Sequence, residues 1–229
     1  YFAILSFLIG ISLFLGSALQ QVALLYTDVA NAAFFTIFYV PMVPIIIFIF
    51  KRNSLHWSVW PSVILCLIGG YLLTNFYNAT VRLGDTLVIL GALFWSTHII
   101  FTGMIVAKYN LPLTIGAVQT LIVALFSFLI GSVYEEFIFE NILNEIDSIL
   151  YAGILSGGLA FVLQIYAQKN IMPAPAAIIF SLEGVFATVA AWFLLNQILG
   201  INNLLGCLFI LSGVLFSQLV PLIKRTSQR

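Results

Sequence analysis

Residues 1–50 read YFAILSFLIGISLFLGSALQQVALLYTDVANAAFFTIFYVPMVPIIIFIF, with Asp28 as the only charged side chain. A helix needs about 20 predominantly apolar residues to cross the hydrocarbon core of a bilayer. The stretch is therefore two membrane spans separated by the polar Thr27-Asp28 break. The pattern continues outward. Of 229 residues 62% are hydrophobic, 21 are Phe and only 7% are charged, too few to cover a soluble fold of this size. Polar and Pro/Gly punctuation predicts eight spans, at about 2–25, 29–50, 57–75, 85–107, 112–134, 149–168, 173–195 and 201–222. The expected fold is all-α and embedded in the bilayer, with short connections and antiparallel neighbours. The longest connection, 135–148, alternates acids with Phe, Ile and Leu. It is read either as a solvated connector or as a short interfacial helix.

Charge orients these spans. With the start of the first span in the cytoplasm, Lys51, Arg52, Lys108, Lys169, Lys224, Arg225 and Arg229 lie inside and only Arg82 lies outside. Positive residues favour the cytoplasmic side, so the C-terminus is expected there. Asp28, Asp85, Glu135, Glu136, Glu140, Glu145 and Asp147 then fall in external connections. The net charge is zero, and no basic surface suggests nucleic acid. Cys66 and Cys207 lie in apolar runs and read as small buried hydrophobes. The sequence begins at Tyr1 inside a hydrophobic run, which suggests a fragment. Asn78-Ala79-Thr80 matches a glycosylation sequon close to the membrane.

A shift of 144 residues superimposes the first three spans on the last three. Ser12 meets Ser156, Gln20 meets Gln164, Ala30, Ala32 and Ala33 meet Ala174, Ala176 and Ala177, and Gly69 meets Gly213. Five spans separate each element from its copy, so the copy is inverted across the membrane. Inverted repeats are a hallmark of secondary transporters, whose sites lie near the midplane between the repeats. Residues 80–229 form a complete repeat of five helices, and residues 1–79 a partial one of three. The expectation is an intact protein of ten helices, 5 + 5, whose two further spans, about 60 residues, precede Tyr1.

The stretch Ala160–Phe216, AFVLQIYAQKNIMPAPAAIIFSLEGVFATVAAWFLLNQILGINNLLGCLFILSGVLF, resembles the closing helices of the EamA family in the drug/metabolite transporter superfamily. Residues 10–50, with Tyr39-Val40-Pro41, resemble the matching part of its first half, and GDTLVILGALFWSTHIIFTG (84–103) resembles the opening helix of the second. Gly184 stands where the family has Pro after Glu, and Asn196-Gln197 replaces a Gly-Glu turn. Arg52-Asn53 lies near the equivalent turn of the first half. The resemblance implies a multi-pass prokaryotic carrier of the plasma membrane (the bacterial inner membrane). Such a carrier moves an amino-acid-like or drug-like metabolite by alternating access, usually outward, with no resident cofactor. A nucleotide-sugar or sugar-type carrier of the same superfamily is the alternative. A membrane subunit that does not transport and an intramembrane enzyme are two further classes. A proton as coupling ion and a homodimer are additional expectations.

Glu183 is the acid nearest a bilayer centre, where charge costs roughly 2.5–3.5 kcal/mol on insertion scales. It is a proton-coupling carboxylate, a counter-charge for a cationic substrate, or a protonated group that clamps helices. Gly91, Trp95, His98 and Thr102 recur at steps of 4, 3 and 4, one stripe of a helix. His98 either binds substrate or hydrogen-bonds a neighbouring helix, and Trp95 is a candidate cavity lining. Gln20, Gln21, Gln119, Gln164 and Gln168, with Asn31, Thr36 and Tyr39, are either interhelical glue or pathway lining. The candidate pathway set is Trp95, His98, Gln119, Gln164, Gln20 and Tyr39. Pro41, Pro44 and Pro173 are expected to shape helices. The two His residues have no metal-ligand spacing, and no metal is expected.

Overall fold

A computed structural model describes residues 1–51, 55–74, 82–196 and 198–226, and every regular element among them is helical. In chain order these are α1 (Phe2–Ala23), α2 (Val29–Thr36), α3 (Tyr39–Lys51), α4 (Val59–Leu73), α5 (Leu83–Tyr109), α6 (Pro112–Tyr134), α7 (Phe139–Asn144) and α8 (Ile146–Leu150). A π-helical stretch (Tyr151–Ala160) leads into α9 (Phe161–Gln168), followed by α10 (Pro173–Phe180), α11 (Leu182–Leu195) and α12 (Ile201–Thr226). Seven helical segments among the described residues are long and apolar enough to cross a membrane, and Val59–Leu73 is a shorter apolar eighth. Side chains at 45–50% exposure or more, such as Phe50, Phe128, Leu129, Phe186 and Phe193, suit lipid and would be untenable in water.

Two expected spans are broken. The helix that begins at Val29 stops at Thr36 and restarts at Tyr39, with Ile37 N–H bonded to the Phe34 carbonyl and Phe38 N–H to the Phe35 carbonyl. Pro41 explains this, because its ring excludes the carbonyl of Ile37 four residues back from an α-helical bond. The helix that begins at Pro173 stops at Phe180 and restarts at Leu182 without any proline at the break. Ser181 supplies the distortion there. Its hydroxyl donates to the Ile178 carbonyl at 2.6 Å, a back-bond that competes with the helical ladder.

Small residues set the packing. α1 lies along α5 and α6, and α4 along α12, while α10 touches α3, α4, α5, α11 and α12. A Cβ at Gly69 would lie 2.7 Å from the Gly206 carbonyl, and one at Gly206 would lie 2.7 Å from the Gly69 carbonyl. The backbones of α4 and α12 are thus in contact, the mode favoured in lipid, where no hydrophobic force drives helices together. α10 reaches the centre on Ala174, Ala176 and Ala177, all buried. A main core joins Val40, Val43, Cys66, Ile99, Ile178 and Ile210, and a second joins Leu5, Ile9, Ile105, Ile115 and Ile165. At the turn between α5 and α6, Asn110 adopts a left-handed φ of 52° and Pro112 opens the next helix, the expected stop and start chemistry.

Several expectations change. Of the two readings of the connection 135–148, a short exposed helix, α7, is the one found, and the next span begins with α8 at Ile146 rather than at 149. Asp85, read as an external loop acid, lies fully buried in the first turn of α5. It accepts from Arg82 N–H at 2.6 Å, the Thr27 hydroxyl at 2.5 Å and the Asn31 amide at 3.3 Å. A carboxylate that caps its own helix and accepts two donors from another span is satisfied without a counter-charge. Beside it Arg82 pairs with Asp28 at 2.9 Å, both half exposed. Cys66 is buried and Cys207 partly so, and both thiols are free. The sequon at 78–80, Arg52-Asn53, Gln197 and the boundary at 79/80 lie outside the described residues.

Gly206→Val should lower the melting temperature of the detergent-solubilised protein, by about 1–3 kcal/mol of overpacking. Gly153→Ala, whose added carbon meets nothing within 4 Å, should leave it unchanged. Asp85→Asn replaces an acceptor by a donor facing donors and should cost about 1.5–3 kcal/mol in the same measurement.

Candidate functional site

The stripe on α5 faces protein along its whole length. Gly91 lies against the backbone of α1, where a Cβ would sit 3.3 Å from the Gly16 carbonyl, and Gly16 lies equally close to the Trp95 ring. This close approach lets the Trp95 indole N–H donate to Gln20 Oε1 at 3.2 Å. One turn on, His98 Nε2 and Gln119 Oε1 of α6 are 3.0 Å apart. His98 and Thr102 are fully buried and Gln119 is 1% exposed.

Phe161, the first residue of α9, completes this cluster. Its ring is parallel to Trp95 at 6.1 Å between centroids and edge-on to His98 at 5.9 Å, arrangements favoured by aromatic quadrupoles. The ten-residue π-helical stretch before it is rich in small residues (Ala152, Gly153, Ser156, Gly157, Gly158), and π-helical turns are frequent at functional sites. Gln168, also on α9, donates to the Ile99 carbonyl at 2.9 Å and acts as an interhelical tie. Gln164 is half-buried, three residues beyond Phe161, and takes part in none of these hydrogen bonds; Gln21 is exposed.

Tyr39 and Glu183 form a second grouping at the two helix breaks. Tyr39 opens α3 and is 4% exposed; Glu183 is the second residue of α11. The two side chains are close enough to interact, but the Tyr39 hydroxyl is not in hydrogen-bond geometry with any partner among the described residues. Glu183 keeps an exposed surface beside Tyr39. Open space lies beside the neighbouring Gly184, where an added Cβ would meet nothing within 4 Å. An acid in the first turn of a helix also faces the positive end of the helix dipole. The Tyr39 carbonyl lies 3.5 Å from the Ser96 hydroxyl, and Trp95 packs on the same core as Tyr39, so the two groupings adjoin through α5.

Sequence reasoning therefore picked out Trp95, His98, Gln119 and Gln20, which the fold brings together, and the pair Tyr39 and Glu183. It missed Phe161, one apolar ring among many, and Ser181, whose effect depends on its hydroxyl's orientation. For Asp85 the signal was available, since an acid three residues after Arg82 fits a capping box. Among the described residues no group of three or more His, Cys, Asp and Glu side chains could hold a metal ion. A surface hollow lined by Val189, Trp192, Asn196, Ile198, Leu199 and Leu204 includes none of the candidates.

Residues 82–219 match the model of the EamA-like transporter family. The chain is 30% identical to an uncharacterized transporter of Archaeoglobus fulgidus, over 93% of its own length and 68% of the relative's. It is 28% identical to the uncharacterized transporter YoaV of Bacillus subtilis over 57% of its own length and 45% of that protein's. A solved crystal structure of a protein 15% identical in sequence superimposes with a TM-score of 0.81, over 96% of this chain and 77% of the other. That likeness supports the fold alone. A helical bundle with lipid-facing surfaces, two spans broken within the interior and a buried polar and aromatic cluster agrees with the sequence matches: the chain belongs to the EamA-like transporter family, whose members are membrane transporters of small solutes.

Proposed function

We propose that this protein is a secondary transporter that exports a small organic metabolite, amino-acid-like or drug-like, across the plasma membrane by alternating access. Residues 1–79 and 80–229 belong to its two inverted repeats, and its C-terminus is cytoplasmic. The observation that carries this reading is the meeting of Tyr39 and Glu183. They are 144 residues apart, the offset of the sequence repeat, and each follows the break in its span. A position that touches its own repeat mate lies on the axis relating the two halves. In inverted-repeat carriers the site lies between the repeats near the midplane, formed by discontinuous helices. Glu183 is the coupling carboxylate in this scheme, exchanging a proton or a cationic substrate group as the halves rock. The paired contacts of Gly69 with Ile210 and of Gly213 with Cys66 support the same two-fold relation, since Cys66 and Ile210 are also 144 apart.

A nucleotide-sugar substrate would call for basic side chains at the breaks. Among the described residues Arg82, Lys108 and Lys169 stand at or beyond helix ends, which favours the metabolite reading.

In proteoliposomes Glu183→Gln should reduce proton-dependent flux at least tenfold while its melting temperature matches that of the parent. Undiminished flux with the parental pH dependence would overturn the coupling role. Tyr39→Phe should retain flux but alter its pH dependence. A tag placed after residue 229 should be protected in intact cells and exposed in inverted vesicles.

A further inference from the structure

The His98–Gln119 pair carries more hydrogen-bonding capacity than the protein uses. His98 Nδ1, Gln119 Nε2 and Thr102 Oγ1 are buried and without a partner among the described residues. If His98 Nε2 holds the proton, it donates to Gln119 Oε1, leaving Nδ1 as a bare acceptor and the amide NH2 as a donor. If the imidazole tautomer and the amide are both reversed, Nδ1–H becomes the donor and the amide oxygen the acceptor. One donor and one acceptor are left over either way. Leaving such atoms unmet costs about 1–3 kcal/mol each, so the arrangement needs a partner.

The surroundings restrict what that partner is. The pair is walled by the Trp95 and Phe161 rings, with Phe161 edge-on to His98 and parallel to Trp95. Among the described residues no charged side chain bonds to the pair. Both rings are partly buried, but Trp95 is pinned on the other side by Gln20 and backed by Gly16, whereas Phe161 directly follows the π-helical stretch. Phe161 is thus the movable wall and Trp95 the fixed one.

We propose that this cluster is a binding subsite for a neutral planar group that presents a hydrogen-bond donor beside an acceptor, such as a carboxamide or a lactam on a flat ring. The ring takes the place of Phe161 against Trp95, and its polar edge meets the unpaired atoms of His98 and Gln119. Phe161 stands in the ligand's position against Trp95. This deepens the transporter reading and rests on it, because it names the part of the solute that the protein holds.

Binding is followed by quenching of Trp95 emission in the purified protein, with Trp95→Phe as the reference, using nicotinamide, uracil and adenine as probes. At least one should quench Trp95 saturably. For nicotinamide, N,N-dimethylnicotinamide should bind at least tenfold more weakly because its donor is blocked. Gln119→Leu should weaken binding at least tenfold, His98→Asn should weaken it less, and Phe161→Ala should tighten it at least threefold by removing the competing ring. A variant that fails to fold is set aside by its melting curve, and the dimethyl comparison uses the parent protein alone. The proposal is overturned if no probe quenches Trp95 in folded protein, which would leave the polar atoms to a buried water, or if every probe binds equally well in Phe161→Ala and Gln119→Leu. Flux in proteoliposomes separates the two readings. Solutes that cross while no planar probe binds would sink the subsite and spare the transporter; probes that bind while no solute crosses would do the reverse.

Discussion

Hydrocarbon offers no hydrogen bonds, so a chain this apolar must satisfy its backbone within its own helices wherever lipid surrounds it. That constraint explains why every regular element among the described residues is helical, and it gives meaning to the places where the helices fail. At Ile37–Phe38 and at Ser181 the regular ladder gives way to tighter bonds, such as Val40 N–H to the Ile37 carbonyl and Gly184 N–H to the Ser181 carbonyl. Both breaks lie where α3, α10 and α11 meet the main core. Interior breaks of this kind are tolerated only when protein or a water-lined crevice receives them, and here they deliver Tyr39 and Glu183 to one another.

The second determinant is close helix approach. In lipid, contact energy comes from dispersion and from backbone proximity rather than from expelling water. Gly16 and Gly91 bring α1 onto α5, and Gly69, Gly206 and Gly213 bring α4 onto α12. The first of these contacts backs the Trp95 ring, whose indole N–H donates to Gln20. The position of the Trp95 ring is thus a consequence of where glycine occurs. Asp85 plays the corresponding part near the end of the bundle, fastening the α1–α2 link to the first turn of α5 through Thr27 and Asn31.

Most of the architecture was legible in the residues. Span number, the location of nearly every turn and the family resemblance rest on apolar run length and on punctuation by Pro, Gly, Asn and Asp, which are local properties. The α5 stripe was legible because helical periodicity places Gly91, Trp95, His98 and Thr102 on one face regardless of what they meet. The break beside Pro41 had a visible cause; that at Ser181 did not, since a serine hydroxyl distorts a helix only when it turns back onto the carbonyl three or four residues before it. Phe161 was invisible because ring stacking depends on the register of α9 against α5, and the preceding π-helical turns alter that register.

The sequence by itself determined that this chain is a bundle of membrane-spanning helices, which residues are costly to bury and which helix faces are too polar or too small for lipid, because these follow from transfer free energy and a 3.6-residue period. Tertiary structure alone decided which of those residues meet. Trp95 with Gln20, His98 with Gln119 and Tyr39 with Glu183 lie 75, 21 and 144 positions apart. No local rule specifies such pairs. They arise because glycine contacts and helix breaks fix the relative rotation and depth of neighbouring helices, quantities that hydrophobicity leaves undetermined when every face is apolar.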